Sequence, residues 1–213
     1  MKNIIFDFGC VLVGLDKQRC VNAFRAIGAG DVAVYVDECR QEDLFHDLET
    51  GKTDVAEFCD EVRRKSHLCH ATDSEICHAW NMLLTGIPTE RLQRLLQLRD
   101  SYRLFVLSNT NPIHWHKAVD EFFPYRGYGV DDYFERVFLS YRMHLVKPEP
   151  EIYLRLISET GIRPDETLFI DDSEANCSAA AALGLNVFHS PTGEEWIDGL
   201  ADKLENEQLT ASL

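Results

Sequence analysis

The chain has 213 residues, 45% of them hydrophobic, and a formal net charge of −15. That is enough apolar material for one core, or a core with a small appended module. The acidic balance argues against nucleic acid or an anionic membrane as the main partner, and no apolar run approaches the about 18 residues that cross a bilayer.

Seven cysteines (10, 20, 39, 59, 69, 77 and 177) lack any framework spacing. Free thiols in a reducing compartment fit them better than a disulfide scaffold. The N-terminus, MKNIIFDFG, has an acid at position 7 and no signal-peptide pattern, so a cytoplasmic location is expected.

Residues 3–8 read as a short apolar strand ending in an acid and a glycine. From about residue 18 to 86 every regular segment reads as helix, with no convincing strand. Cys20, Phe24 and Ile27 recur at helical spacing, and Asp54 with Glu57, then Thr72 with Glu75, form capping boxes ahead of apolar runs. After residue 87 helix and strand alternate. Helix 89–100 precedes strand 103–107, a helix begins near Pro112, and a strand lies around 136–139. Helix 149–160 stops at Gly161. Strand 167–170, an alanine-rich helix 173–183 stopped by Gly184, and strand 186–188 follow. Repeated units of this kind predict an α/β fold, a parallel sheet covered on both faces. The helical stretch reads as an insertion after the first strand, and residues 202–213 are expected to fray.

In a parallel sheet, ligands gather at the carboxyl ends of the strands. Asp7 and Gly9 follow the first strand here, and Ser108, Asn109 and Thr110 the second. Lys147 follows the third, and Asp171 with Asp172 the fourth. Each has an ordinary reading: Asp172 could cap the next helix, Ser-Asn is a common turn, and a lysine before proline is usually solvated. Together, in this order, they suit phosphoryl transfer through a carboxylate. Asp7 would attack phosphorus, a magnesium ion held by Asp7 and Asp172 would bridge the repelling charges, and Asp171 would lie close by. Ser108, the backbone around Asn109, and Lys147 would hold the phosphate.

The segments FDFGCVL, VLSNT, KPEPEIY and FIDDSEAN resemble the four ordered motifs of the haloacid dehalogenase superfamily. The chain is more closely similar to the alpha-D-glucose-1-phosphate phosphatase branch, through VLSNTN, the paired acids, and the segment with Phe45, His46, Glu49 and Gly51. The resemblance implies a Rossmann-like three-layer core from residues 1–16 and 87–213, and a mobile helical cap from residues 17–86. It also implies Mg2+ as cofactor, a small phosphorylated substrate, and metal ligation by Asp7, Asp172 and the Gly9 carbonyl.

Most phosphatases of that superfamily carry an acid two residues after the nucleophile, where this chain has Gly9. One reading is a non-catalytic phosphate-binding protein. The other is an enzyme whose acid comes from Asp16, His46 or Glu49, or whose leaving group, as in a sugar 1-phosphate, needs less help. A 2-haloacid dehalogenase would also use Asp7, but needs no metal acids. A phosphomutase is disfavoured by Gly9.

Other features rank lower. Cys69-His70 and Cys77-His78 fit no common zinc spacing. His114 and His116 could line the site mouth, although surface positions are the commoner case. The loop 125–129 could touch substrate or cap, and Cys10 reads as a buried thiol.

Overall fold

The computed structural model describes residues 1–38, 44–200 and 203. Cys39 and almost all of the tail expected to fray lie outside the described residues.

The chain opens with β1 (Asn3–Phe6) and a short β2 (Gly14–Leu15). The helices α1 (Lys17–Ala26), α2 (Gly30–Glu38), α3 (Leu44–Glu49), α4 (Val55–Lys65) and α5 (Asp73–Asn81) follow. Then β3 (Leu84–Gly86) returns toward β2, and α6 (Thr89–Leu98), β4 (Arg103–Ser108), α7 (Pro112–Lys117) and α8 (Val130–Tyr133) continue. The remainder is β5 (Arg136–Leu139), α9 (Ser140–Met143), α10 (Pro150–Thr160), β6 (Thr167–Asp171), α11 (Glu174–Ala182) and β7 (Asn186–His189).

Five parallel strands form one sheet in the order β5-β4-β1-β6-β7. Their side chains alternate between two buried layers. Ile4, Phe6, Leu104, Val106, Leu168 and Ile170 meet Leu92, Leu95, Trp115 and Trp196 on one face. Ile5, Phe105, Leu107 and Phe169 meet Ile152, Tyr153 and Leu156 on the other. This is why the strands read as continuous apolar runs: each face is covered, so neither residue of an alternating pair reaches water. From β1 the chain builds outward through β4 to β5, then crosses back to β6 on the other side of β1, so the strand order reverses at β1.

The helices between β2 and β3 bury a cluster of their own, including Phe24, Leu48, Phe58, Ile76 and Trp80. Both expected capping boxes form, at Asp54 with Glu57 and at Thr72 with Glu75. The expectation of a stretch without strands needs correction at its end. Leu84–Gly86 pairs antiparallel with Gly14–Leu15, and this ribbon joins the helical unit to the sheet. Three residues are too short to show a period of two, so the sequence gives no sign of it. β1 also ends at Phe6, which leaves Asp7 just beyond it. Among the described residues, no helix is long and apolar enough to cross a membrane.

Candidate active site

The sheet brings the four expected segments to one edge. The amide of Asp7 donates to Ile170 O at 2.9 Å, so the β1–β6 ladder extends to the residue that carries the carboxylate. Asp171 closes β6, fully buried, and Ser108 closes β4. Lys147 enters from the loop after α9, and its Nζ lies 2.7 Å from Asp7 Oδ1 and 2.6 Å from Asp171 Oδ2.

Asp171 is held on both oxygens. Oδ2 accepts from Lys147, while Oδ1 accepts from the Ser173 amide at 2.8 Å and from Asn176 Nδ2 at 3.0 Å. Asp172 has a different fate. The helix that follows it is capped by Ser173, whose side chain accepts from the Asn176 amide, so Asp172 is free of the capping role its position suggested.

The carboxylates of Asp7, Asp171 and Asp172 each place an oxygen within 4.8 Å of the others. One ammonium faces the three. Burial, opposed by Lys147 and reinforced by Asp171, pushes the Asp7 carboxyl up to about 7. Burial and Asp171 also raise Asp172. For Lys147, burial works against the charge, but Asp7 and Asp171 outweigh it and raise the ammonium. The pocket is therefore short of positive charge, and an all-oxygen donor set short of charge suits a hard divalent cation. Asp7 and Asp172 have the oxygens to hold one, and the Gly9 carbonyl keeps a lone pair beside the 2.6 Å bond it accepts from the Val11 amide.

Ser108 is fully buried, its hydroxyl 3.3 Å from Asn109 O. The side chain of Asn109 is committed elsewhere than to a ligand. Its Nδ2 donates to Lys147 O at 2.9 Å, and its Oδ1 accepts from the Lys147 amide at 2.8 Å. Asn109 thus fixes the main chain of Lys147.

A cleft of about 480 Å³ opens between this edge and the helical unit. Asn109, Lys147 and Glu149 line it from the core, and Phe45, His46, Glu49 and Trp80 from the helices. His46 and Glu49 therefore face the same space as the lysine. Asp16 does not line it; it caps α1, accepting from the Arg19 amide at 3.0 Å. A Cβ built on Gly9 would meet only Leu15 Cδ1, at 3.6 Å, an ordinary contact.

Cys10 is half-buried beside Asp172. Burial, then the charge of Asp172, push its thiol up to about 12, so it remains a thiol at neutral pH. The two histidines of α7 part ways. His116 is exposed, whereas His114 is 5% exposed and lies outside the cleft lining. Its Nε2 donates to Trp80 O at 3.1 Å, and its Nδ1 accepts from Asn111 Nδ2. The loop 125–129 closes on itself through Tyr125 and Tyr128 and does not line the cleft. Cys77 sits 3.9 Å from Cys59, sulfur to sulfur, and among the described residues the only candidate metal cluster is the aspartate group.

Several residues here were not singled out by sequence. Arg91 is buried and donates to the carbonyls of Cys10, Leu12 and Gly193, bracing the loop behind Asp7. Nothing in an amphipathic helix marks one arginine as the inward one. Ser140 and His144, between β5 and Lys147, join the helical unit to the core.

A family model of haloacid dehalogenase-like hydrolases matches residues 1–184. A D-ribitol-5-phosphate phosphatase of Bacteroides thetaiotaomicron is 35% identical over 198 residues, covering 92% of this chain and 95% of that protein. A crystal structure of a haloacid dehalogenase family enzyme from the same organism, in complex with magnesium and inorganic phosphate, aligns with a TM-score of 0.87 at 42% identity. It covers 92% of this chain and 97% of that one. A predicted HAD-like family hydrolase from Porphyromonas gingivalis aligns at 0.88 with 36% identity, covering 96% and 98%. With its motifs at one sheet edge and a family match over most of its length, this chain belongs to the haloacid dehalogenase-like hydrolases.

Proposed function

We propose that the chain is a magnesium-dependent phosphatase of small phosphate monoesters, with Asp7 as the nucleophile. The observation that carries this reading is the buried arrangement of Lys147 between Asp7 and Asp171, with Asp172 alongside. A dehalogenase, whose chemistry needs no metal, would have no use for Asp172 as a cation ligand. The likeness to a D-ribitol-5-phosphate phosphatase, and to an enzyme crystallised with magnesium and phosphate, supports the same reading.

In this reading a carboxylate oxygen of Asp7 bonds to phosphorus as the P–O bond to the alcohol breaks, leaving an acyl phosphate and an alkoxide that takes a proton. Water then attacks phosphorus and frees Asp7. Asp7, Asp172 and the Gly9 carbonyl would hold a magnesium ion, which when bound would supply the charge that lets a dianion approach a carboxylate. Lys147 supplies the remaining positive charge, and Asp171 keeps its ammonium aimed at Asp7. Ser108 and the main chain after it hold phosphate oxygens.

The leaving group would occupy the cleft, among Phe45, Trp80, His46 and Glu49. Its mixture of aromatic and polar walls suits a hydroxylated carbon chain or ring. We therefore read the substrate as a sugar or polyol phosphate, extending the sugar 1-phosphate expectation to esters of primary alcohols. The helical unit, residues 17–86, would act as the cap. Asp7→Asn, which removes the nucleophilic oxygen with little change of shape, should abolish phosphate release from an aryl phosphate. Near-normal turnover by a folded Asp7→Asn protein would reject the mechanism.

A further inference from the structure

His144 follows α9 in the left-handed region, at φ 55° and ψ 34°. A side chain other than glycine is uncommon there and is strained. Its imidazole makes a specific contact across the molecule, with Nδ1 donating to Thr50 O at 2.9 Å. One turn earlier, the fully buried Ser140 donates its hydroxyl to Glu49 O at 2.7 Å. Gly51, at φ 67°, completes the joint, since a Cβ there would collide with the Tyr141 carbonyl.

The two acceptors are the main-chain carbonyls at the C-terminal end of α3. Such carbonyls have no partner within their own helix and otherwise turn to water. Here donors from the core take them. α3 is also the element that places His46 and Glu49 in the cleft. The donors belong to the segment that continues into Lys147, and the Ser140 oxygen also accepts from the Thr110 amide at 3.0 Å, just after Ser108 and Asn109. His144 lines a smaller side cavity shared with His46 and Glu149, at the rim of the main cleft.

We infer that Ser140 and His144 are positioning residues for substrate discrimination. They clamp the end of α3 to the phosphate-binding edge and so set where His46 and Glu49 meet the leaving group. This rests on the phosphatase reading of the cleft. The two donors have separable duties. The His144 imidazole bonds to the α3 end at Thr50 O, whereas Ser140 bonds both to Glu49 O and to the Thr110 amide.

The test compares the magnesium-loaded enzyme on p-nitrophenyl phosphate with whichever member of a panel of pentitol and hexose phosphates it turns over fastest. His144→Gly suits the left-handed backbone, so the fold should be kept and the melting temperature should not fall. It should raise KM for the polyhydroxylated substrate by about five- to tenfold, the loss of one hydrogen bond, while kcat and KM for the aryl ester stay within about twofold. Ser140→Ala should slow both substrates. Equal effects of His144→Gly on the two substrates, or no effect on either, would overturn the clamp. Absence of turnover by the native enzyme on every ester would instead reject the phosphatase reading beneath it.

Discussion

Asn109 and Lys147 exchange two hydrogen bonds, the side chain of one closing on the main chain of the other at 2.9 and 2.8 Å. The pairing joins the end of β4 to the loop that delivers the ammonium group. A lysine has many rotamers, and fixing its backbone from a neighbouring strand end confines where Nζ can reach. Asn109→Ala should therefore lower kcat for any phosphate ester by about ten- to a hundredfold, with a smaller change in KM. Steady-state kinetics check this. A variant that raises KM alone would place Asn109 in direct contact with substrate instead.

Asp171 and Asp172 should fail in different ways. If Asp172 holds the magnesium as proposed, Asp172→Ala should raise the magnesium concentration needed for half-maximal activity by about tenfold or more. Asp171→Asn turns a hydrogen-bond acceptor of Lys147 into an amide and splits a buried pair. It should lower the unfolding free energy by about 3 kcal/mol and cut kcat, with little change in magnesium requirement. Magnesium titrations of activity, paired with denaturant melts, separate the two. A shared magnesium defect would make Asp171 a ligand as well.

At Gly9, the space around an added Cβ is open apart from Leu15. Gly9→Asp should fold, and it should raise single-turnover rates most for primary alkyl phosphates, whose alkoxides need protonation most. Aryl phosphates and sugar 1-phosphates should gain less. Equal single-turnover rates for alkyl and aryl esters in the native enzyme would mean that a proton donor already serves the site. His46→Ala and Glu49→Ala would then be compared, since both residues line the cleft.

His114 should make stability depend on pH. Burial holds its imidazole down to about 4, against an ordinary value of 6.5, with the bond to Trp80 O only partly opposing this. The folded state keeps it neutral while the unfolded chain takes up a proton. Stability is thus full above pH 6.5 and is lost as pH falls from there toward 4, by about 3 kcal/mol at most. In His114→Gln the slope of unfolding free energy against pH over that window should flatten. An unchanged slope would show that other groups carry the acid sensitivity.

Much of this protein was legible in its sequence because the signals were local. Alternating helix and strand periods mark the sheet, and the residues at or just after the ends of β1, β4 and β6 are the ones the parallel topology must bring to one edge. The capping boxes of α4 and α5 depend on residues three apart. What only the tertiary structure decided were choices among partners far apart in the chain. Asp171, not Asp172, pairs with Lys147, because the end of β6 points one carboxylate inward and leaves the next at the rim. Asn109 serves the main chain of Lys147, and His114 turns inward to meet Trp80 across the junction with the helical unit. Ser140 and His144 reach back about ninety residues to the end of α3. Sequence spacing fixes which side chains share a helix face or a strand end. Which of two adjacent polar groups finds a buried partner depends on the packing of separate segments, and a hydrogen bond, unlike an apolar contact, is decided by fractions of an ångström.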